Sequence, residues 1–398
     1  SSLVRPLVAP TGLIGGLDRA KLVDARLTLV GSDGRERASF DGVDAVFEKV
    51  EHGDRHFEID LRGPRGAWRV GGTVRGAKGH LSSIEADGVP VADILLFTGL
   101  SKAPVTSDIR LSGTLSAAFA RDRIAWLQGQ LRASPGAIER DKGTPVRIDS
   151  AMAEIAWDEA ARRLDIGGLT LRGDGTDVGL KGRLAADEHG VWQLTLDGRD
   201  VLVAGLDKGQ PPFKLGTVEA GLRLEDGRFD LDRFTVRGDD VDVSVTGSFS
   251  PTASGEVFAS RIEAKNTDAR KLLRLWPDFI NRDLRTYLAT RLVAGKVESL
   301  SVKSSFDATD LKAAMSDAPF TDGAVAFDIA TSDIGLIVVD GLPPLKGLAV
   351  KGRATGTSAT LTASGGAIEM PDGRRLGFTD ASYVHMGIDQ KGSAARIG

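Results

Sequence analysis

One stretch of the chain returns at an offset of 65 residues, and it limits the fold to architectures built from repeated strands. Arg163-Leu164-Asp165-Ile166-Gly167-Gly168-Leu169-Thr170-Leu171-Arg172-Gly173-Asp174 recurs as Arg228-Phe229-Asp230-Leu231-Asp232-Arg233-Phe234-Thr235-Val236-Arg237-Gly238-Asp239. The match runs on without a gap, Asp177-Val178-Gly179-Leu180-Lys181-Gly182-Arg183-Leu184 against Asp242-Val243-Ser244-Val245-Thr246-Gly247-Ser248-Phe249. Apolar positions alternate with polar ones, and each exchange keeps its apolar character. Period-two alternation is the pattern of a strand with one apolar and one wet face. A duplicated strand unit points to a body that grows by adding strands, rather than one closed around a single pocket.

At 398 residues the chain has room for two or three ordinary domains or for one extended repeat body. Its formal charge of −4 argues against a nucleic-acid-binding surface, which would need a basic stripe. Acidic and basic residues are interspersed along the strands, as on a solvated face. Forty-nine Gly and only two Tyr fit many turns and thin sheets. The absence of Cys removes disulfides, thiolate metal sites and a Cys nucleophile together. No apolar run approaches the roughly 20 residues of a spanning helix, and no signal-peptide pattern opens the chain. A start at Ser1 reads as a piece of a longer protein whose membrane or export segment lies outside it.

Nine Asp-Gly pairs, at 33–34, 41–42, 87–88, 174–175, 197–198, 226–227, 322–323, 340–341 and 372–373, are expected to mark hairpin turns, which require positive φ. Between them lie some two dozen alternating runs, expected to be strands of about five residues. Two interruptions read as helical. Val91–Phe97 follows Pro90; further on, Thr267 is placed to cap a helix through Leu273 to Trp276, and Asn281 a second through Leu288 to Leu292, closed by Gly295. Three segments result: 1–105, strands with a short helix; 106–262, the repeated strands; and 263–398, the helix pair with further strands. Such strands can form a sandwich, a barrel or a long curved sheet. A membrane barrel would need longer strands and aromatic girdles, which five Trp and two Tyr cannot build. A long sheet would extend roughly 100 Å at about 4.8 Å per strand. Its apolar face must be covered by a second sheet, by helices or by an apolar ligand.

Several phrases resemble those of AsmA-like envelope proteins. Gly16-Leu17-Asp18-Arg19-Ala20-Lys21-Leu22 through Leu29 resembles their strand-opening phrase, and 164–173 looks like their strand unit. Leu272-Leu273-Arg274-Leu275-Trp276-Pro277 through Gly295-Lys296-Val297, with Gly341-Leu342-Pro343-Pro344-Leu345-Lys346-Gly347, is similar to the YhdP branch. The resemblance implies an AsmA/YhdP/TamB-type protein: mainly β, an elongated, curved antiparallel sheet forming a U-shaped trough with an apolar interior. It implies phospholipid transport between the inner and outer membranes of a Gram-negative envelope. It also implies a periplasmic location, an inner-membrane anchor outside this chain, and an outer-membrane or envelope protein partner. No enzymatic activity, cofactor or nucleic acid is implied.

On that reading the lipid-contacting residues are Leu164, Ile166, Leu169, Leu171, Val178, Leu180, Phe229, Leu231, Phe234, Val236, Val243 and Val245. The plainer reading makes them core between two sheets. Trp276, Phe279, Tyr287 and Leu288 would form a gate, or a plug packed on the end of the sheet. His52 and His56 have a ligand-like spacing, but Gly53-Asp54 places them at a turn rather than on a helix, so no metal site is expected. There is no G-x-S-x-G elbow and no P-loop, and Gly173-Asp174-Gly175 reads as a turn. Paired acids such as Asp239-Asp240 and Glu225-Asp226 also sit in turns. Two rivals remain: a structural or adhesive β-solenoid with a closed, dry core, and a polysaccharide-acting enzyme on a β scaffold. The latter would need an acid pair in an aromatic-lined cleft.

Overall fold

The computed structural model describes residues 17–386 and 396–397, except 31–35, 51–53, 64, 76–80, 98–104, 121–122, 141–144, 205–210, 226–227, 253–254, 277–281, 308 and 311–320. The chain is mainly β and divides into two units, Ser1–Ala185 and Ala186–Gly398. The first contains β1 (Arg19–Val30), β2 (Glu36–Lys49), β3 (Arg55–Gly63), β4 (Gly66–Arg75), β5 (Leu81–Pro90), a helix at Val91–Phe97, β6 (Val105–Ser107), β7 (Arg110–Ala120) and β8 (Arg123–Ala133). There follow β9 (Gly136–Arg140), β10 (Val146–Ile148), β11 (Ser150–Asp158), β12 (Arg163–Gly173) and β13 (Thr176–Ala186). Its main sheet is an antiparallel meander in the order β1, β2, β3, β4, β5, β7, β8, β11, β12, β13. The short strands β6, β9 and β10 form a separate three-stranded sheet.

The second unit contains β14 (Trp192–Val203), β15 (Phe213–Glu225), β16 (Arg228–Gly238), β17 (Val241–Thr252), β18 (Gly255–Asp268), helices at Ala269–Leu275 and Arg282–Arg291, and β19 (Leu292–Phe306). It ends with β20 (Val325–Leu336), β21 (Leu345–Thr355), β22 (Ser358–Ser364), β23 (Ala367–Glu369), β24 (Arg375–Gly377), β25 (Asp380–Met386) and β26 (Arg396–Ile397). Strands β14 to β22 pair each with the next, then β25 and β26 continue the sheet, all antiparallel. Among the described residues, the first and last strands of neither meander pair with each other. Neither sheet is therefore a closed barrel.

The repeat seen in the sequence is a repeat of backbone geometry. In β12 the apolar run Leu164, Ile166, Leu169, Leu171 skips a beat at Gly167-Gly168, and the pairing with β13 shifts register between Ile166 and Leu169. In β16 the run Phe229, Leu231, Phe234, Val236 shifts against β17 between Leu231 and Phe234. A β-bulge inserts the extra residue, so the apolar side chains stay on one face. The same shift recurs in β2, between Asp41 and Asp44, and in two later strands: β5 between Ala86 and Val89, and β20 between Thr331 and Ile334. Positive φ at Gly88 (65°) and Asp333 (51°) falls within the last two shifts.

Several sequence expectations need correction. The Asp-Gly pair 174–175 is a turn with φ of 48° and 78°, and Gly341 and Gly373 also have positive φ in turns. The pairs 41–42, 87–88 and 197–198 instead lie inside β2, β5 and β14. At the first two, the positive φ of Gly42 and Gly88 makes a bulge rather than a hairpin. Most meander strands consequently run from nine to fifteen residues, not about five. Their length withdraws one argument against a membrane barrel, and the open pairing takes its place.

The helix boundaries also move. Thr267 is fully buried at the end of β18, where its Oγ1 accepts from Asp242 N (3.0 Å). Asp268 is the N-cap, its carboxylate accepting from Lys271 N at 2.8 Å. Asn281 lies outside the described residues. Gly295 does not close the second helix, which ends at Arg291 and passes directly into β19 at Leu292.

Candidate functional site

Cross-strand register gathers the apolar positions of each unit onto one face. In the first unit, one row crosses ten strands: Leu22, Ala45, Ile59, Val70, Ala86, Gly113, Leu131, Ala153, Leu169 and Leu180. A parallel row joins Ala117, Leu127, Trp157, Leu164 and Leu184. In the second unit, Gly198, Val218, Val236, Val243, Ala264, Leu300, Ile329, Gly352 and Leu361 are successive partners. Leu196, Ala220, Phe234, Val245, Ile262, Val302 and Phe327 form the next row. Beyond it, Trp192, Leu224, Phe229, Phe249, Phe258 and Phe306 form a row that is largely aromatic, with the rings of Phe258 and Phe306 stacked 5.9 Å apart.

The opposite faces are charged. Asp165 bridges Arg163 (2.8 Å) and Arg183 (3.3 Å), Arg223 holds Asp232 through two nitrogens, and Arg353 pairs with Asp328 at 2.8 Å. Exposed pairs of this kind add little stability. Their value is in register, since opposite charges placed across strands disfavour a slip.

Burial on the apolar face is graded along the strands. Within β16 it rises from Phe229, 37% exposed, to Val236, 4% exposed. Leu224, opposite Phe229, is 42% exposed. The covered end lies under the helices: Leu272, Trp276, Leu288 and Ala289 pack on Leu273, Leu292, Val297, Ile334, Leu345 and Leu348. Arg274 stacks 5.3 Å above Phe213 and donates to Pro211 O (3.1 Å), while Lys271 donates to Asp239 O (2.6 Å), fastening Ala269–Leu275 across neighbouring strand ends. In the first unit Ile94 of Val91–Phe97 packs on Phe40, Val43, Leu61, Trp68 and Val89. The three-stranded sheet closes over Gly173, where an added Cβ would collide with Arg147 O.

The twelve proposed lipid-contacting residues therefore all project to apolar faces, in two groups. Val236 and Val243 are buried at the covered end. The others are half-buried, apart from the more exposed Phe229. Of the residues expected to form a gate or plug, Trp276 and Leu288 pack on the core, whereas Tyr287 is 51% exposed. Phe279 and His52 lie outside the described residues; His56 lies on β3, opposite Glu48.

Residues outside the sequence repeat, such as Leu131, Trp157, Leu194, Leu222 and Phe306, belong to the same faces. Their alternation carried the signal, but only register shows that they adjoin the repeated strands. Asp93 had no sequence signal. It is fully buried in Val91–Phe97, Trp68 Nε1 donates to its Oδ2 at 3.1 Å, and its Oδ1 has no partner among the described residues. Burial raises its pKa, opposed by the Trp68 hydrogen bond and by the charges of Arg65 and Arg110.

No family model matches the chain, and no curated protein or solved structure matches it. What the geometry defines is a class of architecture: open antiparallel meanders, each with one charged face and one apolar face covered at one end.

Proposed function

We propose that the chain carries the acyl chains of phospholipids along its uncovered apolar faces, without catalysing a reaction. The observation that supports this most directly is the graded face itself. Rows of Leu, Val, Ile and Phe run strand to strand in register, buried beneath helices at one end and half-exposed elsewhere. A contiguous exposed apolar surface of this kind marks a binding site. A closed β-solenoid would bury these side chains from both sides, and the exposure of Leu224 and Phe229 weighs against it.

The mechanism is solvation. Each methylene gains about 0.8 kcal/mol on leaving water, so a fourteen-carbon chain gains roughly 11 kcal/mol by lying on the face rather than crossing water bare. A bilayer offers a similar gain, so the face lowers a barrier but sets no direction. Direction needs a gradient or a partner. In keeping with the AsmA-like resemblance, the proposed setting is the periplasm of a Gram-negative envelope. The chain would be tied to the inner membrane by an anchor outside it, and would pass phospholipid towards the outer membrane. Among the described residues no helix is long and apolar enough to cross a membrane.

Protein purified without detergent should yield phospholipid on organic extraction and mass spectrometry. Replacing both Leu222 and Leu231 by Asp should remove most of it while circular dichroism stays unchanged. No lipid from the parent protein, with no uptake of a fluorescent fatty-acyl probe, would refute the proposal.

A further inference from the structure

One row of the second unit's apolar face holds a polar pair that bare acyl chains do not account for. Leu194, Leu222 and Leu231 are successive cross-strand partners, and the row runs on through Gly247 to Ser260, Ser304 and Val325. Ser260 lies between Phe258 and Ile262 on β18, and Ser304 between Val302 and Phe306 on β19. The two-residue alternation therefore puts both serines on the apolar side. Their hydroxyl oxygens are 2.6 Å apart and both residues are half-buried. Gly247, the partner on the other side of Ser260, brings no side chain to that flank.

The two hydroxyls carry two protons, and the bond between them uses one. Whichever serine accepts keeps an O–H to donate. Among the described residues neither side chain makes another hydrogen bond. Water can take that proton while the face is wet. Methylenes laid over the pair would displace the water and leave the donor unmet, at a cost in free energy. A ligand with a carbonyl oxygen at this point meets the donor, and its chain can still lie on the neighbouring leucines and phenylalanines.

We infer that the Ser260–Ser304 pair receives the ester carbonyl of a glycerol-linked acyl chain, so that the face selects ester lipids over ether lipids of equal length. The inference rests on the acyl-chain reading above and adds the place on the face where the ester sits.

Competition between two short-chain lipids that stay monomeric tests it in the parent protein. Dihexanoyl phosphatidylcholine should displace a bound fluorescent fatty-acyl probe at about fivefold lower concentration than the dihexyl ether analogue, the effect of one hydrogen bond. Ser260→Ala and Ser304→Ala, each leaving one hydroxyl free to donate, should keep the preference. The double substitution should abolish it by weakening the ester lipid and sparing the ether lipid, with cooperative thermal unfolding retained. Ser305→Ala, on the charged face beside Ser304, should change neither affinity. Equal affinity of the parent protein for the two lipids, or a preference that survives the double substitution, would overturn the inference and leave the acyl-chain face standing. Displacement by neither lipid would overturn both.

Discussion

At the residue scale, Asp93 is the described side chain whose environment most opposes its charge. It fills the space beside Gly63, where an added Cβ would collide with its Oδ2, and among the described residues only the Trp68 indole hydrogen-bonds its side chain. Its folded pKa is raised above the unfolded value by burial, so the folded state holds the proton more tightly than the unfolded state does. The resulting stabilisation is full below the unfolded pKa and is lost as pH rises through the folded pKa. Asp93→Asn removes the charge and keeps an acceptor for Trp68. Urea unfolding should show the variant more stable than the parent at neutral pH, with the difference shrinking as pH falls towards the ordinary carboxylate range. A pH-independent difference would mean that Asp93 has the same pKa folded and unfolded, and that burial does not raise it. The helix pair offers a second contrast at this scale. Leu273→Ala, at a buried core position, should cost about 3 kcal/mol, whereas Tyr287→Ala, on the exposed side, should change stability by less than about 0.5 kcal/mol.

At the element scale, the bulge is the device that keeps each long strand in phase. Deleting Arg233, one of the two residues of the Asp232-Arg233 bulge, would remove the extra count in β16 and turn either Phe229 and Leu231 or Phe234 and Val236 to the charged face. Loss of cooperative thermal unfolding is expected, while Arg233→Ala, which keeps the residue count, should move stability by under about 0.5 kcal/mol. Equal behaviour of the two variants would show that β16 slips register freely. The strands were legible in the sequence because alternation survives on both sides of each bulge. Their lengths were not, because Asp-Gly serves a hairpin at 174–175 and a bulge at 41–42 and 87–88 with the same positive φ. The local sequence carries the backbone angle; only the partner strand decides whether the chain turns back or runs on. The helix pair was likewise legible from its apolar spacing, but the cap was not. Thr267 and Asp268 are both good caps, and the hydrogen bonds of Thr267 to the Asp242 backbone, across the hairpin on β17, took one of them out of competition.

At the scale of the whole molecule, each unit turns a two-residue alternation into a surface many strands wide. The repeated residues 164–180 and 229–245 located part of that surface from sequence. The remainder, including Leu131, Trp157, Leu222 and Phe306, needed the register, because adjacency across strands is invisible in a chain without an alignment of pairs. The graded burial was also hidden, since Val236 and Phe229 read alike as inward apolar positions and differ only in what lies above them. That gradient makes the central claim testable on a single hairpin. A photo-crosslinking amino acid placed in turn at Leu222, Leu231, Arg223 and Asp232, in protein loaded with phospholipid, should join to acyl chain from the two leucines and not from their charged neighbours. Val236, beneath its protein cover, should label weakly. Equal capture from both faces, or from neither, would contradict a lipid-bearing apolar face.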